Sequence, residues 1–228
     1  MKPSQLLCLS ALALSAQLSW AQPTSIPVGH LDDAALTDGF KKSMVLEGSG
    51  YIRVPGEKAI KAKFISQSEP GISITEKGQS YLKVTTRARV QTEGETVDQQ
   101  GYSLIDPKTL TPKADHDSTG EVTVYKTARR YPESMKVGSK LLIAQSQTFE
   151  GAKPVYVTTN FLTLALVNGE TNLYQLCESS SDSKPKAKSL SESDSCLLID
   201  RDGQIKGYAL LIIQGNQRST FTGTVRVE

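Results

Sequence analysis

The stretch Leu82-Lys83-Val84-Thr85-Thr86-Arg87-Ala88-Arg89-Val90 decides how this chain is read. Leu82, Val84, Thr86, Ala88 and Val90 fall on one parity, and Lys83, Thr85, Arg87 and Arg89 on the other. Side chains alternate between the two faces of a strand, so the pattern predicts a strand with one buried face and one wet face. Just upstream, Ile72 and Ile74 alternate with Ser73 and Thr75, and Lys77-Gly78-Gln79 marks a tight reversal between the two segments. Val122 with Val124, and Leu141 with Ile143, continue the same period in shorter stripes.

Toward the carboxyl end the theme persists. Residues 155–167 finish apolar on both parities, with Leu162, Leu164 and Leu166 against Phe161, Ala165 and Val167. Two-sided apolarity predicts a central strand covered on both faces. Asn168-Gly169-Glu170 then turns the chain. Asp202-Gly203, between two apolar runs, is the strongest hairpin signal, because Asp-Gly accommodates the positive φ angles of a two-residue turn. Residues 220–227 close the sequence with Phe221, Val225 and Val227 on one face. Only residues 31–44 have a helical cast, with Asp32 or Asp33 placed as a cap and Gly39 weakening the segment.

About ten to twelve strands without intervening helices imply an all-β fold built as an antiparallel meander. Its apolar face must be hidden, so the sheet forms either a barrel-like closure or a two-sheet sandwich. The Pro- and Asp-rich cluster at 106–118 reads as the one substantial internal loop ahead of a serine-rich one.

The amino terminus carries an address. Lys2 gives a short basic region, an apolar run follows from Leu6 to Leu18, and Ser19-Trp20-Ala21 presents small residues where a signal peptidase cuts. This is the pattern of a Sec-type signal peptide, removed after Ala21, and it places the mature chain in the periplasm or outside the cell. The run is too short and too serine-rich for a membrane span of about 20 residues. Small residues of the kind a lipoprotein signal needs do not precede Cys8, which leaves with the signal. No Asn-x-Ser/Thr sequon occurs, which favours a bacterial origin. The expected organisation is therefore a signal peptide at 1–21, a leader with a short helix at 22–50, and one all-β domain at 51–228.

Cleavage leaves Cys177 and Cys196. An even pair in an exported chain reads as a disulfide, because that compartment is oxidising. The bridge would close the serine-rich segment 178–195, which has little apolar content beyond Ala187 and Leu190 and would otherwise be a loose insertion between strands. Closing a loop of about 20 residues contributes roughly 3 kcal/mol.

Charge excludes some functions. The chain has 26 basic and 24 acidic side chains, a net charge of +2, against the basic excess of a nucleic-acid binder. Lys83, Arg87 and Arg89 share a strand face, and Arg129-Arg130 ends another strand. Together they are a candidate face for an anionic partner such as a lipid headgroup or envelope polymer, set against the plainer reading of a solvated sheet surface.

Catalytic and metal signals are thin. His30 sits in the leader, and His116 lies in Asp115-His116-Asp117-Ser118, where turn-forming residues explain the cluster without a triad. Asp200-Arg201-Asp202-Gly203 resembles the start of a calcium loop, but the twelfth position holds Leu211 in place of a glutamate. Phosphate loops, nucleophile elbows and Cys-x-x-Cys pairs are missing, so no catalytic residue, metal site or cofactor is expected. The leading expectation is a non-catalytic binding protein of the bacterial envelope, holding an apolar small molecule or lipid, or meeting an envelope protein. A structural or protein-interaction module is the alternative, and a carboxylate-based hydrolase of an envelope polymer the second.

Overall fold

A computed structural model of the chain describes residues 25–183 and 191–228. The expected signal peptide, with Cys8 and Trp20, and the 184–190 part of the serine-rich segment lie outside the described residues. The chain begins with β1 (Ile26–Pro27), a turn of 3-10 helix (Gly29–Leu31) and α1 (Asp33–Leu36). Next come β2 (Met44–Arg53), β3 (Ile60–Ser68), β4 (Ile72–Glu76), β5 (Gln79–Gln91), β6 (Thr96–Ile105), β7 (Pro112–Asp117) and β8 (Glu121–Ala128). The remainder is β9 (Ser134–Met135), β10 (Lys140–Glu150), β11 (Lys153–Leu166), β12 (Tyr174–Ser183), β13 (Ser191–Ile199), β14 (Ile205–Gln214) and β15 (Gln217–Val227).

Twelve of these strands close into an antiparallel barrel, running β2-β3-β5-β6-β7-β8-β10-β11-β12-β13-β14-β15 and back to β2. Closure removes the sheet's edges, which decides between the barrel and the sandwich in favour of the barrel. β4 is an extra strand: it pairs with the first part of β5, through Ile72↔Lys83 and Glu76↔Gln79, while β3 pairs with the second part. β3 and β4 thus lie along the same side of β5, separated by Glu69-Pro70-Gly71, where proline removes a ladder donor. β1 and β9 form a separate two-stranded ladder.

Residues directly opposite one another across a ladder face the same way. Leu162, Glu178, Ser195, Leu210 and Phe221 therefore form one lumenal row across five strands. Two apolar clusters fill the lumen. One joins the leader residues Ile26, Val28 and Leu31 to Leu162, Leu164, Tyr174, Leu176 and Ile199. The other contains Ala62, Phe64, Tyr208 and Phe221. The leader is thus a plug seated in one end of the barrel. It is held by Val28 N–H donating to the Glu133 carbonyl at 2.9 Å and by Gly71 N–H donating to the Phe40 carbonyl at 2.7 Å. The helix expected in this segment is α1, and Asp32 caps it by accepting from Ala35 N–H at 2.8 Å.

Several local readings need correction. The barrel strands begin at Met44, not near residue 51, and Gly48 and Gly50 lie within β2 at the barrel seam. A Cβ on Gly50 would stand 1.7 Å from the Thr220 carbonyl oxygen, and one on Gly223 would stand 1.8 Å from that of Glu47. β2 and β15 approach so closely that only glycine fits. The presumed loop at 106–118 shrinks to 106–111, since 112–117 is β7, whose Asp115 faces a polar lumen and so breaks the expected apolar stripe. β11 is not covered on both faces. Leu162 and Leu164 are buried in the lumen, whereas Phe161 is half-buried outside, under the Lys140 ammonium at 4.0 Å from its ring centre.

At the β13–β14 turn, Asp200 N–H donates to the Gln204 carbonyl, so the loop has three residues rather than two. Gly203 is required there: its φ is +76° and a Cβ would lie 2.5 Å from the Pro27 carbonyl oxygen of the plug. Residues 178–183 and 191–195 of the serine-rich segment belong to strands. β12 runs to Ser183 and β13 starts at Ser191, extending the hairpin at the end of the barrel away from the plug.

Candidate lumenal site

Beneath α1 the lumen keeps an open cavity of about 230 Å3. Its polar lining comes from elements far apart in sequence: Asp33 from the plug, Asp115 from β7, Tyr125 from β8, Tyr131 from the β8–β9 connection, Asn160 from β11 and Glu178 from β12. Each barrel residue projects inward because the strand period places it on the lumenal parity. Glu178 follows Tyr174 and Leu176 at steps of two, and Asp115 is opposite both Ser103 and Thr123.

Hydrogen bonds tie the acids to phenols. Tyr125 donates its hydroxyl to Asp115 Oδ2 at 2.6 Å, and Tyr131 donates to Glu178 Oε1 at 2.9 Å. Arg130 makes a two-pronged pair with Asp32, Nε to Oδ2 and Nη2 to Oδ1, both at 2.7 Å. Asp33 is solvent-exposed as well as a member of the cavity lining.

Burial dominates the electrostatics. It pushes the Asp33 carboxyl up to about 6 from its ordinary 3.8, and the neighbouring charge of Asp32 adds to the effect. Glu178 rises to about 7, first through burial and then through the charge of Asp33, with the Tyr131 hydrogen bond opposing. Burial also raises Asp115, against the hydrogen bonds it accepts from Ser103 and Tyr125. Tyr125 and Tyr131 are both held neutral, first by burial and then by the adjoining carboxylates.

One lining group lacks a partner. Asn160 Oδ1 is buried with no hydrogen bond among the described residues, as is the Tyr174 hydroxyl within the apolar cluster. A buried polar atom left unpaired costs about 1–3 kcal/mol, and Asn160 carries that cost beside the cavity its residue lines. The site can therefore present carboxylates, phenols and an amide to a small hydrogen-bonding guest. No set of three or more His, Cys, Asp or Glu side chains among the described residues is arranged to hold a metal ion.

The residues singled out in the sequence are not brought into this cavity as a group. Lys83, Arg87 and Arg89 share the outer face of β5, and each already has a neighbour. Lys83 Nζ lies 4.2 Å from the Tyr102 ring centre. Arg87 pairs with Glu69 at 3.0 Å, and Arg89 with Asp98 at 2.6 Å. Arg89 and Asp98 are directly opposed in the β5–β6 register. Arg129 and Arg130 stand apart from that strip at the plug end, where Arg130 turns to Asp32. His116 stacks on Tyr102 outside the barrel at 4.5 Å, while Asp115 points inward, so the two cannot act as a dyad. His30 Nε2 lies 3.1 Å from the Gly203 carbonyl oxygen. Asp200 accepts from the turn's own amides and pairs with Lys206 at 2.8 Å. Cys177 and Cys196 are opposed on β12 and β13, with sulfurs 2.12 Å apart, at bonding distance.

The lumenal acids were missed in sequence, although a signal existed for one of them: Glu178 continues the inward parity of Tyr174 and Leu176, whereas the apolar residues of β7, Pro112 and Ala114, lie on the parity opposite Asp115. Fold and lumen together define a class, a plugged twelve-stranded antiparallel barrel with an acidic, phenol-lined cavity. Comparison with protein-family models, with curated proteins and with solved structures finds no match to this chain. No helix among the described residues is long and apolar enough to cross a membrane.

Proposed function

We propose that this chain is an exported, periplasmic binding protein of the bacterial envelope, non-catalytic, whose lumen holds a small polar ligand rich in hydrogen-bond donors. The observation that carries the reading is a cavity whose lining presents Asp33, Asp115, Asn160 and Glu178. The apolar guest expected from sequence suits this lining poorly, since it would displace water from the carboxyls and the amide without offering them hydrogen bonds. At about 230 Å3 the cavity falls below the roughly 300–1,000 Å3 of drug-sized sites, so the guest is small. The signal-peptide pattern supports export, and a cysteine pair at bonding distance is consistent with an oxidising compartment.

Native mass spectrometry of the chain, purified gently from the periplasm of an expressing cell, tests this. A discrete added mass that disappears in Asn160→Leu supports the reading. A folded chain that carries no added mass and gains none with small amines, amino acids or sugars overturns it.

A further inference from the structure

Closure pairs the strands of the barrel wall on both sides, whereas β4 is hydrogen-bonded on one side only, to β5. The Lys77-Gly78 turn joins Glu76 to Gln79 with φ of 51° and 79°, the two-residue hairpin whose closing residues exchange both backbone bonds. Alternation from that pair turns the amides and carbonyls of Ile72, Ile74 and Glu76 toward β5, and those of Ser73 and Thr75 away from it. Gly71 shares the parity of Ser73, and its N–H does point outward, donating to the Phe40 carbonyl of the plug at 2.7 Å. Beyond Gly71 the plug no longer covers this edge. The backbone groups that Ser73 and Thr75 turn outward have no partner among the described residues.

The edge is also unguarded. Sheet edges are commonly blunted by lysine, proline or a bulge within the strand. Ile72-Ser73-Ile74-Thr75 has neither lysine nor proline, carries no charge before Glu76, and keeps a regular register with β5. Ile72 and Ile74 stand opposite Lys83 and Tyr81, so both belong to the outer face of the barrel. Ile72 is 60% exposed, more than any other large hydrophobic side chain among the described residues. A groove flanks Ser73 to Thr75, walled by Tyr81 and Pro107.

We propose that β4 is the contact between two copies of this chain, which pair edge to edge and antiparallel about a two-fold axis through Ile74. Backbone groups offered at an edge are satisfied by another strand, and this edge is complementary to itself. With Ile74 opposite Ile74 of the second copy, Ser73 of each chain faces Thr75 of the other. Those two pairs use every backbone donor and acceptor that the edge turns outward. The isoleucines then form the central pair without backbone bonds, the closer kind of pair, and shield one another from water. A register with Ser73 opposite Ser73 would instead call on Gly71, whose N–H Phe40 already holds. Ser183 and Ser191, which bracket residues 184–190, stand at the end of the barrel away from the plug, so the strand that completes β4 comes from a second molecule. Two strands of this length bury less than the roughly 1,200 Å2 of stable complexes, so the pairing is weak, with a Kd of about 0.1 mM.

Sedimentation velocity and amide hydrogen exchange of the purified chain, at about 10 µM and about 1 mM, test the pairing. At that Kd about four-fifths of the chains are paired at the higher concentration, and exchange at Ser73 and Thr75 should slow by about fourfold between the two. Thr75→Pro removes an outward N–H where an edge strand tolerates proline, and should sediment as a monomer at both concentrations. Ile74→Lys sets two like charges against each other at the centre of the contact; it should do the same and serves if the first variant folds poorly. Val124→Lys alters another exposed apolar residue of the outer wall, and should still pair. A chain that stays monomeric at the higher concentration overturns the proposal. So does protection of Ser73 and Thr75 that ignores concentration, because the edge would then be covered from within the chain or by a different protein. Dimers that survive in both β4 variants, or that vanish in Val124→Lys, place the contact elsewhere and overturn it as well.

Discussion

Asp32 carries three obligations with one carboxylate. It caps α1 at Ala35 N–H, receives both prongs of Arg130, and contributes to the field that raises Asp33 and Glu178. Its side chain is 9% exposed and that of Arg130 37%, so the pair is shielded on the acid's side and wetter on the cation's. Removing the cation leaves a buried charge without its partner, which costs more than an exposed pair is worth. Arg130→Met is expected to lower stability by about 1–3 kcal/mol in urea unfolding, the range for leaving a buried polar group unsatisfied. A loss below a few tenths would show that the pair is not holding the plug.

Among the elements, the seam between β2 and β15 depends most on particular residues. Two of the closest approaches on that ladder belong to glycines, Gly50 and Gly223, and in each case the obstacle is backbone that cannot swing aside. Gly50→Ala and Gly223→Ala should each cost about 4 kcal/mol or more, at the severe end for single substitutions. Gly94→Ala is the natural control: nothing lies within 4 Å of its Cβ position, and it should be nearly neutral in the same thermal melts. Equal melting temperatures for all three variants would mean that the seam has room to relax. This element also illustrates what the pattern of residues conceals. Gly48 and Gly50 contribute no side chain to a period-two pattern, yet the partner strand's backbone leaves room only for glycine there.

The whole molecule inherits a pH dependence from its interior. A carboxyl whose folded value lies above its unfolded one binds extra protons in the folded state, so stability is greatest below the unfolded value and falls as pH rises through the folded one. Asp33 and Glu178, with values of about 6 and 7, place that fall between roughly pH 4 and pH 8. Asp115 shifts in the same direction. Asp98, Asp106 and Asp200 are shifted the other way by hydrogen bonds from Arg89, from the Lys108 amide and from Lys206, but they lie at the surface where solvent screens the effect. The chain should therefore melt several degrees higher near pH 5 than near pH 8, and Glu178→Gln should flatten the slope. A melting temperature that climbs steadily from pH 5 to pH 8 would show that the interior acids do not govern stability.

Alternation by itself determined much of this protein. The period of two in Leu82 to Val90, the Lys77-Gly78 reversal, a cap at Asp32 or Asp33 and the pairing of Cys177 with Cys196 all follow from local geometry or a single pairwise constraint. Barrel closure did not, because it is decided by the β2–β15 ladder, whose partners Met44 and Val227 belong to the first and last strands of the barrel. The site did not either. Asp33, Asp115, Asn160 and Glu178 come together only when four separate segments wrap one lumen, and no spacing along the sequence encodes that meeting. Even the basic strip on β5 changed meaning in three dimensions, since Glu69 and Asp98 stand beside its arginines. Residue type and period fix which face a side chain joins, whereas the fields that give a carboxyl its chemistry depend on neighbours that only the closed barrel supplies.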